Sequence, residues 1–172
     1  MEFFRGLENP IGLKISSRIK IDDLIHMIKI LNPSNSQGKI ILITRYGVLN
    51  VNGNLELLCL KIKENNLNVV FICDPNHGNT KNDPLTNKKV RHFEDLKNEI
   101  LLTNKILIEN GFFLSGIHLE ATYLNITECL GGITNNINEI NTDKYTSFCD
   151  PRINLSQTIE LVDSVGKALG EY

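Results

Sequence analysis

Four short runs rich in β-branched residues recur along the chain: IGLKIS at 11–16, KIILIT at 39–44, NVVFIC at 68–73 and SGIHLE at 115–120. Runs that stay apolar without alternating belong to strands covered on both faces, the mark of a parallel sheet. The stretches between them carry apolar residues at three- and four-residue spacing. Ile21, Leu24, Ile25 and Ile28 form one stripe, Leu55, Leu58, Leu60 and Ile62 a second, and Phe93, Leu96, Ile100 and Leu107 a third. A fourth helix is predicted from about Ser156 to Leu169, stopping near Gly170. Asn32-Pro33 and Asn110-Gly111 supply turn signals at the joints. The pattern is βα repeated four times, which predicts one α/β domain over residues 1–172 without an internal linker.

Composition narrows the function classes. At 172 residues, 41% hydrophobic and 22% charged, the chain is long and apolar enough for one globular core. A formal net charge of -2 with no separate Lys/Arg-rich block excludes the electrostatic footprint of a nucleic-acid binder. No stretch of about 18 apolar residues offers a membrane span, and the opening MEFFRGLENP lacks the layout of a signal peptide, so the expected address is cytoplasmic. Cys59, Cys73, Cys129 and Cys149 form no C-x-x-C pair, which argues against a zinc ribbon and for reduced thiols. Asn125 and Asn154 begin N-x-S/T matches that matter only in a secreted chain.

Polar residues of chemical interest collect at one end of every strand. Lys14, Arg45, His77 and Glu120 all lie at or just past the carboxyl end of their run. In parallel α/β proteins that end is where the βα loops gather ligand groups. Taken singly, each has a structural explanation: a snorkelling lysine, a surface ion pair, a hydrogen-bonded turn histidine. Together they point to a site. In CDPNHGNT (73–80), Pro75 and Gly78 would fix a turn that aims His77 off the strand end, and Asp74 suits a turn-capping role at least as well as a chemical one. Lys89 and Arg91 suit either a sugar phosphate or a solvated helix start. Gly131-Gly132 suits either a phosphate near backbone N–H groups or a turn.

Seven motifs occur in order: NPIGLK at 9–14, ITRYG at 43–47, CDPNHGNT at 73–80, VRHF at 90–93, GIHLE at 116–120, NITECLGG at 125–132 and CDPRIN at 149–154. From about Glu8 to the carboxyl terminus the chain resembles the type II (plant-type) 3-deoxy-D-arabino-heptulosonate 7-phosphate (DAHP) synthases. The resemblance implies a (β/α)8 barrel. It also implies an enzyme joining phosphoenolpyruvate to erythrose 4-phosphate, the entry step of the shikimate route to aromatic amino acids, with a divalent metal. It makes His77, Glu120 and Asp150 metal ligands, with Mn²⁺ or Co²⁺ matching an imidazole-plus-carboxylate set. Lys14 and Arg45 become ligands of phosphoenolpyruvate, a point charge and a planar fork for a carboxylate and a phosphate lying close together. The residue that manages the protons is unknown.

Eight βα units need about 250 residues, and four are present here, corresponding to the fifth through eighth. The family's cysteine ligand on its first strand, its front-half arginines and the cysteine that Cys149 faces in the family fall outside this sequence. Ser16-Ser17 stand in place of the usual Gly-Pro, and Tyr123-Leu124 in place of a Gly-Glu pair. The expectation is a carboxyl-terminal half barrel whose front half comes from another chain or reading frame, or whose open edges close in a homo-oligomer. An inactive remnant that still folds, and a half barrel serving as a metal- or phosphate-binding module, are the alternatives.

Overall fold

The computed structural model of the protein describes residues 2–132 and 138–170. Its elements, in chain order, are β1 (Ile11–Ile15), α1 (Ile21–Leu31), β2 (Ile40–Thr44), α2 (Val51–Glu64), β3 (Val70–Cys73), the single turn α3 (Pro75–Gly78), β4 (Lys81–Asn82), β5 (Lys89–His92), α4 (Phe93–Glu109), β6 (Leu114–Ile117), β7 (Cys129–Leu130) and α5 (Leu155–Leu169). The main sheet runs β1-β2-β3-β6 with every pair parallel, so the four strands lie side by side in sequence order.

Each strand packs one face on helices. Ile40, Leu42 and Phe71 meet Leu24 and Ile28 of α1 and Leu55, Leu58 and Ile62 of α2 in one cluster. Cys73 joins Phe93, Leu96 and Ile100 of α4 and Leu161 and Val165 of α5 in another. Burying one such Leu, Ile or Phe is worth about 1.5–3 kcal/mol, which is how the three-and-four spacing of the helices becomes a docked layer. The other sheet face differs. Lys14, Ile43, Ile72 and Gly116 stand in register across it, and Ile41, Ile43, Val70 and Ile72 on that face are only partly buried.

Two features differ from the sequence-based expectation. The fourth strand ends at Ile117 rather than at 120, because past His118 the backbone finds other partners: the Glu120 N–H donates to the Asn76 side chain, and the Ile153 N–H donates to the Glu120 carbonyl. A second small sheet, with β4 antiparallel to β5 and β5 parallel to β7, also forms around the start of α4. Its strands are two to four residues long, too short for a period-2 pattern to register.

Helix α5 starts on a capping box. The Asn154 side chain accepts from the Gln157 N–H, and the Gln157 side chain accepts from the Asn154 N–H. Gly131 and Gly132 both adopt positive φ, at 91° and 97°, which only glycine takes without strain. All four cysteines are free; Cys59, Cys73 and Cys129 are buried and Cys149 is exposed. No helix among the described residues is long and apolar enough to cross a membrane.

Candidate functional site

The turn after β3 is built around Asp74. As the cap of α3, its Oδ1 accepts from the N–H groups of Asn76 and His77 at 3.1 and 3.3 Å, and Pro75 pre-sets the first helical φ. The same carboxylate meets His77 Nδ1 at 2.7 Å and Lys14 Nζ at 2.8 Å. Burial alone would raise the Asp74 carboxyl, but hydrogen bonds from Lys14 and His77, with their charge, outweigh it and hold it below the usual carboxylate range. An ionised carboxylate only accepts, so the Asp74 contact places a proton on His77 Nδ1 whether the ring is charged or neutral, and in the neutral tautomer Nε2 presents its lone pair.

That lone pair faces two carboxylates. His77 Nε2 lies 3.6 Å from Glu120 Oε2, too far for a hydrogen bond. One ligand atom each from His77, Glu120 and Asp150 lie within 4.8 Å of one another. Glu120 Oε2 is buried without a hydrogen-bond partner among the described residues. It lies 2.8 Å from the Arg91 guanidinium, but out of hydrogen-bond alignment. An imidazole nitrogen and two carboxylate oxygens gathered this closely fit a borderline or hard divalent ion. The carboxylate behind the imidazole is the partner that orients metal-binding histidines.

Two further groups hold this cluster. Arg91, wholly buried in β5, donates to Thr80 Oγ1 and to the Pro151 carbonyl while facing Glu120. It therefore ties Glu120 to the residue after Asp150. Glu128, also wholly buried, accepts from the N–H groups of Thr146, Ser147 and Arg152 and from the Ser147 hydroxyl, fixing both flanks of Asp150. Burial pushes the Glu128 carboxyl up, but those donors outweigh it and leave it below the usual range. Asp150 itself is held low, chiefly by its 2.8 Å bond from Lys89.

On the other flank, Arg45 donates weakly to the His77 carbonyl at 3.4 Å, and its Nε is buried without a hydrogen-bond partner among the described residues. A polar hollow of about 340 Å³ opens there, lined by Ser16, Ser17, Arg18, Arg45, Asn50 and His77 among others. A larger hollow, about 550 Å³, lies between residues 5–10 and the loop after α1 and touches none of these residues. Beneath Arg45, Glu99 of α4 is fully buried. It accepts from the Tyr46 and Gly47 N–H groups at 3.1 and 2.9 Å and from Asn79 Nδ2 at 2.6 Å. Burial outweighs those donors and pushes its carboxyl up to about 7.

The five residues singled out in the sequence thus lie in one connected region. Lys14 reaches His77 through Asp74, Arg45 touches the His77 backbone, and Glu120 and Asp150 face the imidazole. For Arg91 the solvated helix start is corrected: it lies in a strand, wholly buried. Glu99 and Glu128 were not singled out at all. Glu99 carried a readable signal, an acid three residues after Leu96 and one before Ile100, inside the apolar stripe of its helix. Glu128 carried none, because its partners come from residues 146–152.

Comparison with known proteins adds three relatives and a family. The family described as "Class-II DAHP synthetase family" matches residues 1–166. A Neurospora crassa protein named phospho-2-dehydro-3-deoxyheptonate aldolase is 42% identical over 163 residues, covering 94% of this chain and 34% of its own. A Catharanthus roseus protein, named a probable chloroplastic phospho-2-dehydro-3-deoxyheptonate aldolase, is 33% identical over 169 residues, covering 98% and 32%. A Mycolicibacterium smegmatis aldolase of the same name is 33% identical over 167 residues, covering 97% and 36%. The chain spans about a third of the length of these curated relatives.

Proposed function

We propose, for a chain that belongs to the class-II DAHP synthetase family, that it forms the carboxyl-terminal half of a (β/α)8 barrel that makes 3-deoxy-D-arabino-heptulosonate 7-phosphate. The reaction joins phosphoenolpyruvate and erythrose 4-phosphate, with addition of water and release of phosphate. The reading is carried by the convergence of His77, Glu120 and Asp150, whose ligand atoms share one 4.8 Å cluster although they come from three separate segments of the chain.

In this reading His77 Nε2, Glu120 and Asp150 hold Mn²⁺ or Co²⁺. The ion would act as a Lewis acid on the aldehyde oxygen of erythrose 4-phosphate. Asp74 fixes the His77 tautomer, and Arg91 and Glu128 keep the two carboxylate loops in place. Lys14 and Arg45 hold the carboxylate and phosphate of phosphoenolpyruvate and orient its nucleophilic carbon. The unpartnered Arg45 Nε and the polar hollow beside it support that assignment. The missing wall of the barrel would be supplied by a front half, or by a second copy of this chain. Support comes from the partly exposed Ile41, Ile43, Val70 and Ile72 and the outer edges of β1 and β6, which no strand among the described residues pairs.

The test is a Mn²⁺ titration followed by electron paramagnetic resonance, with phosphate release then assayed on both substrates. One Mn²⁺ per chain is expected, with His77→Ala and Glu120→Gln each weakening it at least about tenfold. Turnover is expected only with a front half or an oligomer present. Mn²⁺ binding indifferent to both substitutions would sink the metal assignment.

A further inference from the structure

We infer that Glu99 is a positioning residue that clasps the loop bearing Arg45 to the loop bearing His77, so that anion binding at one and metal binding at the other strengthen each other. The inference rests on the functional reading above and adds to it a coupling and the residue that carries it.

The contact between the two loops is closer than ordinary packing. Gly47 and Gly78 meet backbone to backbone, and a Cβ built on either would fall inside the other's main chain. Gly47 also needs its positive φ of 83°. Around this crossing the polar groups form a closed set. One oxygen of Glu99 accepts from the Tyr46 and Gly47 N–H groups, directly after Arg45. The other oxygen accepts from Asn79 Nδ2, two residues after His77. Asn79 then reaches both ways, donating to the Pro75 carbonyl at 2.8 Å and accepting from the Val48 N–H at 2.9 Å. The Arg45 guanidinium closes the ring on the His77 carbonyl.

A buried carboxylate is a costly way to fill a helix–loop contact, and an apolar side chain of similar size would often serve stability as well. What an apolar residue lacks is acceptors for donors from both loops at once. Ordering residues 77–79 by a metal on His77 therefore orders residues 45–48 through Glu99 and Asn79. An anion arriving second at Arg45 finds that ordering already done. By linkage the effect is reciprocal.

The chemistry of Glu99→Gln cuts the link on one side only. Its amide oxygen still serves Tyr46 and Gly47, while its –NH₂ meets the Asn79 –NH₂, donor against donor. Pairing it with Asn79→Asp reverses the polarity and restores that bond, while giving up the one Asn79 donates to the Pro75 carbonyl. The experiment measures Mn²⁺ affinity of the chain by electron paramagnetic resonance, with and without saturating phosphoenolpyruvate, and phosphoenolpyruvate affinity by calorimetry with and without Mn²⁺. In the unaltered protein each ligand should tighten the other about fivefold or more. In Glu99→Gln each ligand alone should bind within about threefold of the unaltered protein, while the mutual factor falls at least about twofold, the Val48–Asn79 and Arg45–His77 bonds being left in place, and the double variant should recover part of that loss. Asn79→Ala cuts the same link from the other loop and should give the same loss, which covers a Glu99→Gln chain that fails to fold. A mutual factor that survives in the folded single variants overturns the clasp and leaves the functional reading standing. Failure of the unaltered protein to bind Mn²⁺ and phosphoenolpyruvate overturns that reading, and the clasp with it.

Discussion

Asp74 serves three partners with one carboxylate: the α3 backbone, the His77 ring and the Lys14 ammonium. Asp74→Asn separates these duties. Asparagine caps a helix about as well as aspartate, so the turn should persist, but an amide gives the imidazole a weaker, uncharged partner. Mn²⁺ affinity is expected to fall about 10- to 100-fold with little loss of helical signal, read by paramagnetic resonance and circular dichroism. The pH dependence has a definite sign. Because the folded-state pKa of Asp74 is depressed, its stabilisation is complete above the ordinary carboxylate pKa of about 3.9 and is lost as pH falls through the depressed value. Denaturation midpoints of the asparagine variant should flatten on that acid limb. The sequence shows why such a residue is half legible. D-P before a histidine announces a cap, and that reading is right, but its contact with Lys14 joins residues 60 apart in the chain and has no local signature.

At the scale of elements, the loops after β2 and β3 are held by a steric condition that chain alternation does not reveal. Gly78→Ala would drive a methyl group into the Gly47 backbone, and neither loop can retreat while Glu99 holds them together. The expected cost is about 3 kcal/mol or more, at the upper end of single substitutions. Gly38→Ala is the control, because Gly38 has positive φ but open space around it and should lose only about 1–2 kcal/mol. Denaturant titration of the two variants distinguishes crowding from backbone strain. The four main strands and their helices were legible because each carries a long enough apolar period to declare itself. The β4–β5–β7 sheet was not, and with it went the placement of Arg91. A buried guanidinium in a four-residue strand looks, in sequence, like any basic residue ahead of a helix.

For the whole molecule, the face carrying Ile41, Ile43, Val70 and Ile72 and the outer edges of β1 and β6 set an expectation about association. Neither edge strand is blunted by proline or by a row of charges. Light scattering of the purified chain at micromolar concentration should therefore show a twofold dimer, the commonest closed assembly, or larger aggregates, and addition of a front-half polypeptide should convert either into a stoichiometric complex. A compact monomer that stays soluble alone would show that those edges are covered by other means. The distribution of thiols lends itself to following such a docking event. Burial pushes Cys59 up to about 11 and Cys129 up to about 12 and raises Cys73 as well, and reactivity belongs to the accessible thiolate. Cys149 alone is exposed, immediately before Asp150. A maleimide dye would thus attach at a single address beside the proposed ion, and its brightness would report, without engineering, both the arrival of a paramagnetic metal and the closing of the barrel over it.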